Sequence, residues 1–350
     1  MNNIQETYGG HGQTGKNFRE KGMMANEAIG KDSKKLSEEN IEKNELDKDI
    51  KEEQMEARKQ FEELIYLVNR RYEKLPENMR KDYLIHNEEI LDSAIELGIK
   101  KGFSPEELKI LEMAAIWHDA DKADAVPEKY KDVPQYALVV HGEKAADEIP
   151  DILTDGLLEE SGFEKDDFEM VREEVANAIR QHMGPHPGFM DGMLKGANAK
   201  LRELGEKEIK HPKAQGKISE ALLSADMRAL AGTAGRKKVL SIRASVPFFK
   251  NQDKQLSEEY SGYDIKLSSC EAALLSGFDS AFQARDMIED EKNREWVDEA
   301  IEDSMREEYE SMDGNGDKMT WSEVSMKRAD FESRKKDRLR ETEIREKLAA

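Results

Sequence analysis

Cys270 is the single cysteine of this 350-residue chain, which excludes an intramolecular disulfide. There is no hydrophobic run of membrane length and no signal-peptide pattern, so no membrane role is expected and the reducing cytoplasm is the expected compartment. Positive charge is also short: 55 Lys and Arg face 76 Asp and Glu, a net charge of -21. Acidity of that size repels phosphate backbones and argues against nucleic acid as a partner. Strand-like alternation is scarce, so the expected fold class is all-α.

What the chain does have is a small set of polar residues in apolar company. The WHDADK stretch puts His118 and Asp119 side by side at the end of an apolar helix. That helix is signalled by Ser104 as N-cap, Pro105 at the first helical position and Glu107 three residues after the cap. Leu108, Leu111, Ala114, Ala115 and Ile116 then give the inward stripe that delivers the pair to the interior. An ionised Asp buried without a partner costs on the order of several kcal/mol, so a cation or a hydrogen-bond network is required there.

Of the six other histidines, three sit on similar stripes. His86 shares a face with Ile90, Leu91, Ala94 and Ile95; His141 follows the apolar run YALVV; His182 ends the series Phe168, Val171, Val175, Ala178, Ile179. Asp226 lies on the face of Leu222, Ala225 and Ala229. Taken singly, each histidine has the ordinary reading of a hydrogen-bonded core residue, and Asp226 that of a cap or a partner of Arg228. Together they are four His and two Asp on separate helical segments with no Cys, a donor set suited to Mn, Fe, Co or Zn at a catalytic centre.

The order His, His-Asp, His, His, Asp resembles the HD-domain superfamily of metal-dependent phosphohydrolases, over about Phe61 to Ile288. His86, His118, Asp119 and Asp226 stand where the family's single-metal set stands, and His141 and His182 match the further histidines of its binuclear members. HDADK is similar to the HD-x-x-K variant, with Lys122 in the lysine position. The resemblance implies a helical HD-type bundle holding one or two divalent ions (Mn, Fe, Co, Zn or Mg). It implies hydrolysis of a phosphoester, a nucleotide or another small phosphorylated substrate, by a metal-activated water, with Asp119 bridging and Lys122 as an electrostatic clamp. MGPHPGFMDG, after His182, matches the HHE and GYP elements of cyclic-dinucleotide phosphodiesterases only loosely, and His186, between Pro185 and Pro187, reads as a surface-loop histidine in preference to a ligand that replaces or joins His182. The alternative is a regulatory or protein-interaction module that keeps the fold without turnover; a third case is di-iron oxygen chemistry, which some members of the superfamily run.

Along the chain, residues 1–49 are polar and charged and are expected to be disordered or loosely helical. Residues 50–288 carry the ligands, opened by an amphipathic helix with Phe61, Leu64, Ile65 and Val68 inward. Residues 289–350 form a charged helical extension whose thin stripe of Trp296, Val297, Ile301 and Met305 suits either packing on the core or a partner, including self-association. VLSIRASVPFF, from Val239, reads as a short extended connection or a helix start, and the basic cluster Arg236, Lys237, Lys238 and Arg243 reads as a solvated face rather than a pocket lining. Two motifs are set aside. GHGQTGKN has P-loop spacing but no preceding strand and Asn17 where Ser or Thr should stand; DGNGDKMTWSE has Asp313, Asn315 and Asp317 in EF-hand register, but Lys318 replaces the required Gly and Val324 the final acid.

Overall fold

In this computed structural model the described residues are 44–133, 135–184, 189–310 and 317–349. The proposed features around Lys16, His186, Asp313 and Asn315 lie outside them. The chain divides between Glu53 and Gln54 into two units. Residues 44–53 are helical. Among its described residues the second unit is all-α apart from one short ribbon, and the described residues from 289 onward belong to it.

That unit begins with α1 (54–60), α2 (Glu62–Tyr72), α3 (Glu77–Lys100) and α4 (Pro105–Trp117). Ser104 and Glu107 form the expected capping box at the start of α4. A 3-10 turn over Ala120–Ala123 follows, then α5 (Tyr136–Asp147), α6 (Ile149–Ile152), α7 (Asp155–Glu160) and α8 (Phe168–Gln181). After α9 (Phe189–Glu203), α10 (Lys217–Ala231) runs through the middle, packed against α3, α4 and α8. Its buried face includes Ile218, Leu222, Ala225, Asp226 and Ala229. The main core draws Phe61, Ile90, Leu111, Val175 and Leu222 together, and a smaller cluster of Val139, Val140, Met193 and Leu201 seats α9 on α5.

VLSIRASVPFF proves to be helix, with a break: α11 (Thr233–Ser245) ends at Val246, the residue before Pro247, and α12 (Pro247–Ser261) starts on that proline. Val246 is extended, as a residue before proline prefers. α13 (Ser269–Arg285), α14 (Glu291–Met305) and α15 (Trp321–Ala349) complete the unit. Between α14 and α15, β1 (Glu308–Glu310) and β2 (Lys318–Thr320) pair antiparallel, with Tyr309 opposite Met319, so the expected turn between two helices is a small hairpin. Glu323, one place early for an EF-hand, caps instead: its carboxylate accepts from the Thr320 backbone N–H at 2.9 Å.

The thin stripe of α14 is spent on the core. Trp296, Val297, Ala300 and Ile301 are buried, the Trp296 indole donates to Glu96 at 3.0 Å, and the Arg228 guanidinium lies 4.4 Å from its ring centre. Trp296→Ala is therefore expected to lower unfolding free energy by about 3–5 kcal/mol in a urea titration, the usual cost of removing a large buried ring. A change within about 0.5 kcal/mol would mean that α14 is not part of the core.

Candidate metal centre

Five segments carry one cluster. His86 projects from the middle of α3, His118 closes α4, and Asp119 heads the 3-10 turn behind it; His141 lies on α5, His182 caps the end of α8, and Asp226 sits on α10. All six are at most 4 % exposed. They form three overlapping sets in which donor atoms approach closely enough to share a cation: His86, His118 and Asp119; His118, His182 and Asp226; Asp119, His141 and His182.

Asp119 is the hub. Its Oδ1 lies 3.3 Å from His118 Nε2, 3.3 Å from His141 Nε2 and 3.8 Å from His182 Nε2. Its Oδ2 accepts from Lys122 Nζ at 2.6 Å and lies 3.7 Å from His86 Nε2, which is 3.4 Å from Asp226 Oδ1. Arg228, the residue that Asp226 needed for a simple ion pair, points elsewhere: it donates to the Trp296 carbonyl and lies 3.7 Å from Glu299.

Backbone geometry fixes the ring faces. His118 Nδ1 is 2.7 Å from the Ala115 carbonyl, His141 Nδ1 2.8 Å from that of Leu138, and His182 Nδ1 2.5 Å from that of Ile179. Each contact reaches back three residues, the spacing at which a helical side chain meets a carbonyl of the preceding turn. A carbonyl only accepts, so each Nδ1 carries a proton, and a ring that is neutral then presents a bare Nε2 to the centre. His141 Nε2 and His182 Nε2 then face each other at 3.0 Å with no proton between them. Gly142 permits this approach: a Cβ there would meet the Ile179 carbonyl at 3.0 Å and the His182 ring at 3.1 Å. Asn87 ties α3 to α4 beside the cluster, donating to the Ile116 carbonyl at 3.2 Å.

The donor set fits a divalent metal. Two bare imidazole nitrogens in contact repel, while His118 Nε2 and Asp119 Oδ1 are buried without a hydrogen bond. Converging imidazole lone pairs and carboxylates are what a transition ion requires, and Nδ1–H bonds to carbonyls are the usual outer support of such ligands. For His86, His141 and His182, lone pairs rather than protons also follow from the electrostatics. Burial, then Lys238, brings His86 down to about 4; burial, then Lys122, does the same for His141. His182 is pushed well below the ordinary histidine value by burial and by its two imidazole neighbours. Burial works against charge on His118 too, but the Asp119 carboxylate outweighs it and holds this ring above the usual value. Asp119 stays ionised despite its burial because His118 and Lys122 hold its carboxyl well below the usual range.

A second acidic group, Asp121, Asp124 and Glu148, is matched by cations. Lys144 lies 3.2 Å from Asp121, Lys74 2.7 Å from Asp124, and Arg71 2.8 Å from Glu148. Lys122 is thus not shared among Asp119, Asp121 and Asp124 but committed to Asp119, with its side chain 15 % exposed.

The basic cluster departs from expectation. Lys237 alone is exposed, whereas Arg236, Lys238 and Arg243 are buried. Arg236 donates to the carbonyls of Leu230 and Gly277, and Arg243 binds Asp253 at 2.5 Å. Lys238 lines a cavity of about 180 Å³ that reaches Lys122 and Asp226, and a cleft of about 730 Å³ that also includes Lys122. A helical stripe could not reveal this, because Lys238 meets Tyr83 of α3 across the bundle. Compared with known proteins, the chain matches no family model, no curated protein and no solved structure.

Acid should unfold the metal-free chain through this cluster. His86 and His141 stay neutral in the fold down to about 4, whereas an unfolded histidine takes its proton near 6.5. Between those values the unfolded chain binds more protons, so stability falls as pH drops from about 6.5 and levels off near 4. His118 works in the opposite sense, so the informative quantity is a difference between variants. Subtracting a His141→Gln urea series from wild type should leave a slope over that window, amounting to about 3 kcal/mol for one imidazole. A flat difference would place His141 outside the buried cluster.

Proposed function

We propose that this chain is a metal-dependent phosphohydrolase, with His86, His118, Asp119, His141, His182 and Asp226 holding one or two divalent ions. The observation that carries this reading is the contact of two unprotonated imidazole nitrogens beside an ionised, buried carboxylate, an arrangement that a cation resolves. When bound, such an ion supplies Lewis acidity toward a phosphoryl oxygen and lowers the pKa of water. The resemblance in ligand order to the HD-domain phosphohydrolases agrees with this chemistry.

The chain's own residues supply the rest. Asp119 offers two oxygens to different neighbours, Oδ1 to three imidazoles and Oδ2 to His86 and Lys122, and so can serve two ligand sets at once. Lys122 keeps its ammonium on Asp119 while lining the cavity, where it places positive charge beside an entering phosphoryl group. Desolvation acts against charge on the Lys122 amine, but the Asp119 carboxylate outweighs it and holds Lys122 above its ordinary value, so the clamp stays charged. The apolar walls of Leu138, Met183 and Phe249 limit water beside the reacting group.

Two measurements test the reading. Elemental mass spectrometry on protein purified without added metal or chelator should find between about one and two equivalents of Mn, Fe, Co or Zn, lost in Asp119→Ala. In the metal so found, hydrolysis of p-nitrophenyl phosphate or bis(p-nitrophenyl) phosphate should fall about 100-fold in Lys122→Met. A chain that takes up no metal even after reconstitution refutes the hydrolase reading and leaves a helical interaction module.

A further inference from the structure

Lys238 is the buried cation whose charge the fold leaves unanswered. It is 7 % exposed, and among the described residues it has neither a hydrogen bond nor an ion pair. Its ammonium lies against the Tyr83 ring, whose centre is 4.4 Å from Nζ. The neighbouring buried cations are all matched, Lys122 by Asp119, Arg236 by backbone carbonyls and Arg243 by Asp253. Asp82, Asp119 and Asp226 act on Lys238 through space, but none forms an ion pair with it. Burial, then repulsion from Lys122, brings its ammonium down to about 7.

An ammonium kept in such a place is disfavoured unless something else compensates it. Its position says what that is. Lys238 lines both the small cavity that Asp226 also lines and the larger cleft whose walls include Met79, Val133, Tyr136 and Pro247. A group entering the metal centre through the cleft passes Lys238, and Lys122 already stands at the centre itself.

Resting on the hydrolase reading, we propose that Lys238 anchors a second anionic group of the substrate, so that the site takes organic phosphoesters carrying more than one phosphate in preference to monophosphates. The reacting phosphoryl group would lie against the metal ligands and Lys122, the second phosphate against Lys238, and the organic body against the apolar cleft. Neutralisation by the second phosphate also relieves the repulsion between the two ammonium groups.

The test is calorimetric titration of the protein as purified with inorganic pyrophosphate and with orthophosphate, in wild type, Lys238→Met and Lys238→Arg, with metal content measured before and after. Wild type should bind pyrophosphate at least about tenfold more tightly than orthophosphate, as one added charge-assisted contact allows. Lys238→Met should lose about tenfold toward pyrophosphate and less than about twofold toward orthophosphate, and Lys238→Arg should keep most of the preference. Wild-type pyrophosphate affinity in Lys238→Met, or an equal loss toward both anions, overturns the proposal. Lys238→Gln replaces Lys238→Met in the same titrations if the latter does not fold. The two readings fail separately: a chain without metal can still show pyrophosphate binding that depends on Lys238, and an active metalloenzyme can bind pyrophosphate without it.

Discussion

The Asp119 carboxylate, 1 % exposed and ionised, is the constraint around which the bundle is organised. A negative charge so deep must be answered from every side, and each answering group comes from a different part of the fold. His86 comes on α3, His118 and Lys122 flank it in the chain, and His141 and His182 arrive on α5 and α8. Convergence of that kind requires α3, α4, α8 and α10 to pack on one another, as they do. The polar cluster and the apolar core are therefore one design: the core brings the helices close, and the cluster determines how their ends are aligned.

Small residues make that closeness affordable. Gly142 lies against the His182 ring, and Ala114, Ala115, Ala145, Ala178 and Ala225 are all fully buried along the converging helices. Backbone carbonyls one turn back then hold three imidazoles in a single tautomer, so orientation costs no further side chain. Peripheral charges follow a different rule. Asp121 is buried, Asp124 and Glu148 are half-buried, and they are balanced by Lys144, Lys74 and Arg71, so they stitch α2, the 3-10 turn and α5 together. Clustered carboxylates thus have a structural role in one place and lie at the heart of a candidate ligand set in another, and the difference is that Asp121, Asp124 and Glu148 meet only ammonium and guanidinium groups, whereas Asp119 and Asp226 also face imidazole nitrogens.

The bundle's C-terminal half has two roles. α14 covers α10 with Trp296 and Val297, while α11 brings Lys238 and Ile242 to the cleft beside the centre. The break at Val246 and Pro247 turns the chain so that Phe249 also lines that cleft. The acidic surface and this buried basic lining coexist because net charge describes the outside of the molecule, and a cleft wall is set by which helices meet.

The residues of the centre were legible in the sequence because each sits on a strong local pattern. His182 closes a 3.6-residue apolar series, and His118 and Asp119 end a helix whose capping box is plain in Ser104 and Glu107. The helical class was legible for the same reason, since periodicity and capping act over a few residues. Other features needed contacts between distant segments. Periodicity could not tell that Arg228 turns toward Trp296 and leaves Asp226 to His86, or that residues 239–249 are helix on both sides of one extended residue. Nor could it tell that Glu308–Glu310 pairs with Lys318–Thr320, or that Lys238 is buried in a cleft while its neighbour Lys237 is solvated. The sequence by itself determined which residues turn inward, because that depends on local spacing. Only the tertiary structure decided which inward residues meet, because hydrogen bonding and charge compensation in the interior depend on distances across helices that no local pattern encodes.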